Sequence, residues 1–120
     1  MKILVVDDSR AMRRIVARTI RQAGFTGHEF VEAENGREAL EVTKAEQPDL
    51  ILSDWHMPEM TGIEFLAALN AEGCVIPFGF VTSENTPEMV EAARNAGALF
   101  LLGKPFTADD MAEVLGALVS

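Results

Sequence analysis

Two kinds of hydrophobic pattern alternate along this chain. Runs of consecutive apolar residues are typical of strands buried on both faces, whereas apolar positions three or four residues apart are typical of amphipathic helices. Each of five apolar runs is followed by a stretch with helical spacing. The pattern predicts strands over residues 3–6, 30–33, 50–52, 76–81 and 99–102.

Capping residues and helix breakers mark the ends of the helical stretches. Asn35 followed by Glu38 resembles a capping box, Thr86 precedes a proline, and Thr107 stands three residues before an aspartate. The predicted helices are residues 9–23, one opened by Asn35 and terminated by Pro48, residues 63–70, one between Thr86 and Gly97, and a last one from Thr107.

Five strand–helix units in succession define the fold class. Strands that are apolar on both faces need helices on each side of a parallel sheet. Since crossovers between parallel strands are right-handed, the pattern predicts an α/β fold with a doubly wound, five-stranded parallel sheet. A chain of 120 residues has the usual size of one domain, so we expect a single domain over residues 1–120.

The balance of charge narrows the classes of partner. Nineteen acidic residues against ten basic ones give a formal net charge of −9. This excess disfavours binding to nucleic-acid phosphates and to anionic membranes. The single cysteine, Cys74, cannot form an internal disulfide, and no apolar run has the length of a membrane span. We therefore expect a cytoplasmic monomer.

Polar residues follow four of the predicted strands. Asp7 and Asp8 follow the first strand, Asp54 the third, Thr82 the fourth and Lys104 the fifth. Ligands of doubly wound sheets bind at the carboxyl ends of the strands, so we expect these side chains to converge in one pocket. Each residue alone has an ordinary structural explanation, such as a helix cap or a surface turn. The prediction of a shared pocket rests on finding all of them at successive strand ends.

Electrostatics predicts a cation in this pocket. Two carboxylates about 4 Å apart repel by roughly 4 kcal/mol at an effective dielectric constant near 20, so three together need positive charge or a proton. Lys104 supplies one charge, and Mg²⁺ suits the remaining oxygen ligands. A carboxylate beside Mg²⁺, with a lysine and a threonine hydroxyl to hold phosphoryl oxygens, is equipped for phosphoryl transfer through an acyl phosphate.

Four segments at the strand ends resemble one protein family. The segments VVDDS, SDWHMPEMTG, VTSE and GKPF are similar to the receiver domain of bacterial response regulators, and in particular to receivers of the chemotaxis type. The similarity covers essentially the whole chain. It implies the flavodoxin-like fold with strand order 2-1-3-4-5. It also implies a signalling switch that catalyses only its own phosphorylation and dephosphorylation, rather than an enzyme.

The resemblance implies a role for each pocket residue. Asp54 would accept a phosphoryl group from a phosphohistidine of a sensor histidine kinase. Lys104 would contact the phosphoryl oxygens, Thr82 would move towards them, and the peptide bond before Pro105 would be cis. Mg²⁺ would be bound by Asp7, Asp8, Asp54 and the backbone carbonyl of His56.

Two pairs of residues concern the timing and the output of the switch. His56 and Glu84 occupy positions where the family tunes loss of the phosphoryl group, and we expect them to flank the attacking water; solvated loop residues are the alternative. The family places an aromatic ring three residues before its active-site lysine, where this chain has Leu101. Phe100 is expected on the opposite face of that strand.

Several outputs are compatible with the sequence. No effector domain is expected after residue 120, so the surface formed by the fourth helix, fifth strand and fifth helix would dock onto a partner. A flagellar motor switch component is the expected partner in chemotaxis, and a phosphatase is a further candidate. Alternatives are a receiver in another phosphorelay, a phosphate sink, a degenerate receiver used as a scaffold, and an Mg²⁺-dependent aspartyl phosphohydrolase.

The first predicted helix contains five of the ten cations. Four of them, Arg10, Arg14, Arg18 and Arg21, fall on its polar face. One interpretation is a solvated face that balances an acidic protein. The other is a docking face for an acidic surface of a kinase or phosphatase.

Overall fold

The computed structural model describes residues 1–118, in which five strands alternate with five helices. Val119 and Ser120, which the sequence places in the same domain, lie outside the described residues. The elements are β1 (Lys2–Val6), α1 (Arg10–Gln22), β2 (Glu29–Ala33), α2 (Gly36–Glu46), β3 (Leu50–Ser53), α3 (Gly62–Ala71), β4 (Phe78–Thr82), α4 (Pro87–Asn95), β5 (Phe100–Gly103) and α5 (Ala108–Leu115).

The strands form a parallel sheet in the order β2-β1-β3-β4-β5, which confirms the predicted fold and strand order. Helices α1 and α5 cover one face of the sheet, where Val16 and Met111 are buried. Helices α2, α3 and α4 cover the other face, where Ala39, Phe65 and Ala93 are buried. Because both faces are covered, β3 and β4 are buried at every position and lack the alternation of a half-exposed strand.

Each of the five predicted strands has at least one boundary that is wrong by one or two residues, and β4 and β5 differ at both ends. β4 begins at Phe78 rather than Ile76, because Pro77 has no N–H to donate to the ladder. β5 covers Phe100–Gly103 instead of residues 99–102. The apolar runs located the strands, but the hydrogen-bond register of the neighbouring strand decided where pairing starts.

The predicted helix caps are present. The side chain of Asn35 accepts a hydrogen bond from the N–H of Glu38 at 2.8 Å, which is the half of the predicted capping box that residues 1–118 show. Thr86 caps α4, and Thr107 forms a reciprocal capping box with Asp110 at the start of α5. These side chains satisfy N–H groups that a helix start leaves without a backbone partner.

Phe100 and Gly79 face each other across strands β5 and β4. A Cβ atom added to Gly79 would overlap the ring of Phe100, so the ring occupies the space that a side chain there would need. Phe100 packs against the core under α1 and α5, whereas Leu101 packs against the opposite core. The predicted opposite orientation of these two residues is confirmed.

We expect Gly79→Ala to lower the free energy of unfolding by about 1–3 kcal/mol in urea denaturation, because overpacking a buried contact forces neighbours apart. In a Phe100→Leu background the same substitution should cost less, since the overlapping ring is gone. Gly103→Ala is the matched control, because its added Cβ would come no closer than 3.4 Å to a neighbouring side chain. An equal penalty in both backgrounds would contradict the proposed overlap.

Candidate functional site

The backbone ladder carries the predicted site residues to one edge of the sheet. The N–H of Asp54 donates to the carbonyl of Val6 at 2.8 Å, and the N–H of Lys104 donates to the carbonyl of Thr82 at 2.8 Å. The N–H of Asp7 bonds to β2 in the same way at 3.1 Å. These bonds extend beyond the strands, so the positions of the site residues follow from the pairing of the strands.

Three carboxylates meet at this edge. One oxygen from each of Asp7, Asp8 and Asp54 lies within 4.8 Å of the others. Asp7 is buried, with its side chain 5% exposed, and the side chain of Asp54 is 12% exposed, whereas Asp8 is open to solvent. A cluster of carboxylate oxygens with one exposed member is a donor set that a hard divalent cation such as Mg²⁺ prefers. The residues therefore fit the metal that the family resemblance implies.

Lys104 neutralises part of this charge. Its Nζ lies 2.9 Å from Oδ2 of Asp7 and 3.2 Å from Oδ2 of Asp54, and its side chain is 15% exposed. Burial lowers the pKa of Lys104, but the hydrogen bond to Asp7 and the charges of both aspartates outweigh burial, so the pKa lies above its ordinary value. Lys104 is therefore a permanent cation that holds the two carboxylates together.

Backbone N–H groups orient the two buried carboxylates. Oδ1 of Asp54 accepts a hydrogen bond from the N–H of Trp55 at 2.7 Å, and Oδ1 of Asp7 accepts one from the N–H of Ser9 at 2.9 Å. Ser9 also caps α1 through its hydroxyl. The start of α1 thus positions a carboxylate of the pocket.

The hydroxyl of Thr82 is buried and has no hydrogen-bond partner, and it is the one buried side-chain oxygen or nitrogen in this situation among residues 1–118. An unsatisfied buried polar group costs about 1–3 kcal/mol, so it is retained only where something compensates for it. Thr82 ends β4 next to the strand end that bears Lys104. A phosphoryl oxygen in the pocket would supply the missing partner.

Two residues of the site were missed by the sequence analysis. Arg13 donates from Nη1 to the carbonyl oxygen of Asp7 at 2.6 Å and from Nε to Glu32 at 2.8 Å, which ties the loop after β1 to β2. Gly62 packs so closely on the backbone of Asp54 that a Cβ atom would overlap its carbonyl group. Gly62 ends the segment SDWHMPEMTG, but a glycine in a sequence does not by itself indicate such a close approach.

The side chains of His56 and Glu84 meet between two loops. Nε2 of His56 lies 3.1 Å from Oε1 of Glu84, and both side chains are more than half exposed. The two residues come from the loops that follow β3 and β4, so the pair joins these two loops.

The peptide bond between Lys104 and Pro105 is cis, which confirms the cis bond implied by the family resemblance.

The fold and the pocket agree with a comparison against protein families. The sequence model described as "Response regulator receiver domain" matches residues 3–116. This chain belongs to the response regulator receiver family, which places it in two-component signalling as a switch rather than as an enzyme of the usual kind.

Chemotaxis proteins are among its similar relatives. The chain is 39% identical over 115 residues to the chemotaxis protein CheY of Pseudomonas aeruginosa, covering 94% of this chain and 91% of that protein. It is 40% identical to a CheY homolog of Campylobacter jejuni, covering 96% of this chain and 89% of that protein. The solved structure of CheY4 from Vibrio cholerae superposes with a TM-score of 0.84 at 35% identity, and the match covers 98% of each chain. The resemblance to chemotaxis-type receivers is confirmed.

No helix within residues 1–118 combines the length and the hydropathy that crossing a membrane requires.

We expect Thr82→Val to raise the free energy of unfolding by about 1–3 kcal/mol, because valine keeps the shape of threonine and removes the unsatisfied hydroxyl. The measurement is urea denaturation without phosphodonor. Thr43→Val is the matched control, since the hydroxyl of Thr43 donates to the carbonyl of Ala39 at 2.7 Å and its loss should not stabilise the protein. Destabilisation by Thr82→Val would show that the hydroxyl already has a partner.

Proposed function

We propose that this protein is a phosphorylation-controlled switch in which Asp54 accepts a phosphoryl group from a sensor histidine kinase in the cytoplasm. The observation that carries the proposal is the buried, unpartnered hydroxyl of Thr82, whose backbone carbonyl bonds to Lys104, the residue that contacts Asp54. A carboxylate nucleophile, a permanent cation and a free hydrogen-bond donor are the groups that phosphoryl transfer to a side chain requires. Family membership supports the same conclusion.

In the proposed transfer a carboxylate oxygen of Asp54 attacks the phosphorus atom of the kinase's phosphohistidine. The O–P bond forms as the P–N bond breaks, and the electron pair of that bond returns to the imidazole, which takes up a proton from water. We propose that Mg²⁺ is bound by Asp7, Asp8, Asp54 and the carbonyl of His56. When bound, Mg²⁺ neutralises negative charge on the phosphoryl oxygens as they approach the carboxylates.

Lys104 and Thr82 respond to the new charge in this proposal. Lys104 shares one ammonium group between Asp7 and Asp54, and a phosphoryl group on Asp54 offers it additional oxygen partners. The hydroxyl of Thr82 gains the partner that it lacks. Because the carbonyl of Thr82 bonds the N–H of Lys104, both strand ends respond together.

The proposed output is docking of the surface formed by α4, β5 and α5 onto a downstream protein. Similarity to chemotaxis proteins favours chemotaxis, with a flagellar motor switch component as the partner and a phosphatase as a second binding protein. With Leu101 in place of an aromatic ring, the response of β5 involves an aliphatic side chain packed on the core under α4. A phosphorelay other than chemotaxis and a phosphate sink would use the same chemistry.

Phosphorylation is tested by incubating the protein with Mg²⁺ and acetyl phosphate and measuring the intact mass. We expect one added phosphoryl group, which is lost in Asp54→Ala and prevented by EDTA. Asp49→Ala is a control, because this exposed aspartate precedes β3 at the opposite edge of the sheet. Turnover of many equivalents of phosphoester would instead indicate an aspartyl phosphohydrolase. The absence of both adduct and turnover would indicate a scaffold.

We expect His56→Ala and Glu84→Ala each to slow the loss of the phosphoryl group severalfold, because the paired side chains would position the attacking water. Since the two residues act as a pair, the double variant should change the lifetime less than the two single effects combined. The measurement is the decay of the phosphoprotein mass after donor removal. Glu88→Ala is a control at an exposed glutamate in the first turn of α4. Unchanged lifetimes would leave the pair as solvated loop residues.

A further inference from the structure

A cavity of about 480 Å³ lies between α1 and the edge strand β2. Its apolar lining comes from Val5, Ala17 and Phe30, and its polar lining is dominated by arginines. The volume falls in the range that proteins use to bind ligands. Asp7, Asp8 and Asp54 are not among the lining residues, so the cavity is separate from the carboxylate pocket.

Positive charge surrounds this cavity although the whole chain carries −9. Arg13 is already engaged, because it pairs with Glu32 and donates to the backbone of Asp7. Arg14 and Arg21 are exposed, and none of the ion pairs found within residues 1–118 uses them. The guanidinium of Arg21 instead lies 4.9 Å from the centre of the Phe30 ring, which leaves its N–H fork available.

The N-terminal ammonium group adds positive charge near the rim of this cavity. The terminal ammonium of Met1 lies 3.0 Å from Nδ1 of His28, and His28 lines the cavity. Glu32, which also lines it, is paired with Arg13, and Glu29 is the other exposed carboxylate of β2. The free cations at the rim therefore outnumber the free carboxylates.

The arginines continue along α1 beyond the cavity. Four arginines of this helix are exposed, namely Arg10, Arg14, Arg18 and Arg21. The last lies eleven positions after the first, which is roughly 16 Å along the helix axis. Like charges four residues apart destabilise a helix by about 0.2–0.5 kcal/mol per pair. The helix contains no acidic residue that would offset this repulsion. Stability of α1 thus does not account for the row of arginines, whereas complementarity to an acidic partner does.

We propose that the cavity and the arginine row bind an acidic segment of a partner protein. Carboxylates of that segment would pair with Arg14 and Arg21, and one apolar side chain would enter the cavity beside Phe30. A short acidic segment fits better than a small anion, because Arg10 and Arg18 belong to the arginine row but do not line the cavity. It fits better than nucleic acid, because a long polyanion would be repelled by the acidic remainder of the protein. The proposal does not depend on phosphorylation of Asp54.

The probe is a fluorescein-labelled peptide of alternating glutamate and leucine, with its glutamine counterpart as the neutral reference. Fluorescence anisotropy on the full chain should show at least tenfold tighter binding of the acidic peptide, weakening as salt increases. Arg14→Glu and Arg21→Glu should each weaken binding by about tenfold. Arg37→Glu makes the same charge change at an exposed residue of α2, on the opposite face of the sheet, and should leave binding nearly unchanged.

Three outcomes would overturn the proposal. The first is equal affinity for the acidic and neutral peptides, and the second is equal weakening of peptide binding by Arg37→Glu and Arg14→Glu. The third is complete displacement of the acidic peptide by ATP, without peptide-induced NMR shifts of backbone amides in α1 or β2. The last outcome would indicate a small-molecule site. Circular dichroism checks that each variant folds, and Arg14→Gln, which removes the charge without reversing it, should give an intermediate loss. Normal phosphorylation of Arg14→Glu by acetyl phosphate separates this test from the test of Asp54.

Discussion

The contact on which the rest of the site depends is the ammonium group of Lys104 held between the carboxylates of Asp7 and Asp54. Without this cation, the two carboxylates would repel each other strongly. Lys104 offsets that repulsion, and in spite of burial its own pKa is held above the ordinary value by the hydrogen bond to Asp7 and the negative charges of both aspartates. The three carboxylates and one ammonium group leave the pocket net negative, so its oxygen atoms could hold a divalent cation.

This contact joins residues 97 positions apart in the chain, and only a parallel sheet brings them together. Asp7 follows β1 and Lys104 follows β5, which are separated in the sheet by β3 and β4. The ammonium group of Lys104 nevertheless reaches the carboxylates of both Asp7 and Asp54. The hydroxyl of Thr82 lies at the end of β4 without a partner, so the pocket is incomplete in hydrogen bonding as well as net negative. In the proposed switch, a phosphoryl group on Asp54 would complete this hydrogen bonding.

Much of the fold was predictable from the chain alone, because local patterns and the fold agree in most elements. The runs of apolar residues located all five strands, and Asn35, Thr86 and Thr107 cap the helices that they were predicted to open. The predicted strand boundaries that differ from the structure depend on contacts between neighbouring strands. The start of β4 at Phe78 depends on which backbone groups have partners, and periodicity carries no information about that.

The sequence by itself determined the fold class, which residues lie at the pocket edge of the sheet, and that the pocket carries negative charge. Those residues are Asp7, Asp8, Asp54, Thr82 and Lys104. Those properties follow from residue type and order, since the carboxyl ends of parallel strands share one edge. Only the tertiary structure decided that the hydroxyl of Thr82 is unpartnered, that Phe100 fills the space above Gly79, and that arginines of α1 border a cavity beside β2. Each of these depends on atoms from elements distant in the chain. Their separations are set by packing of the sheet and helices, which no local pattern encodes.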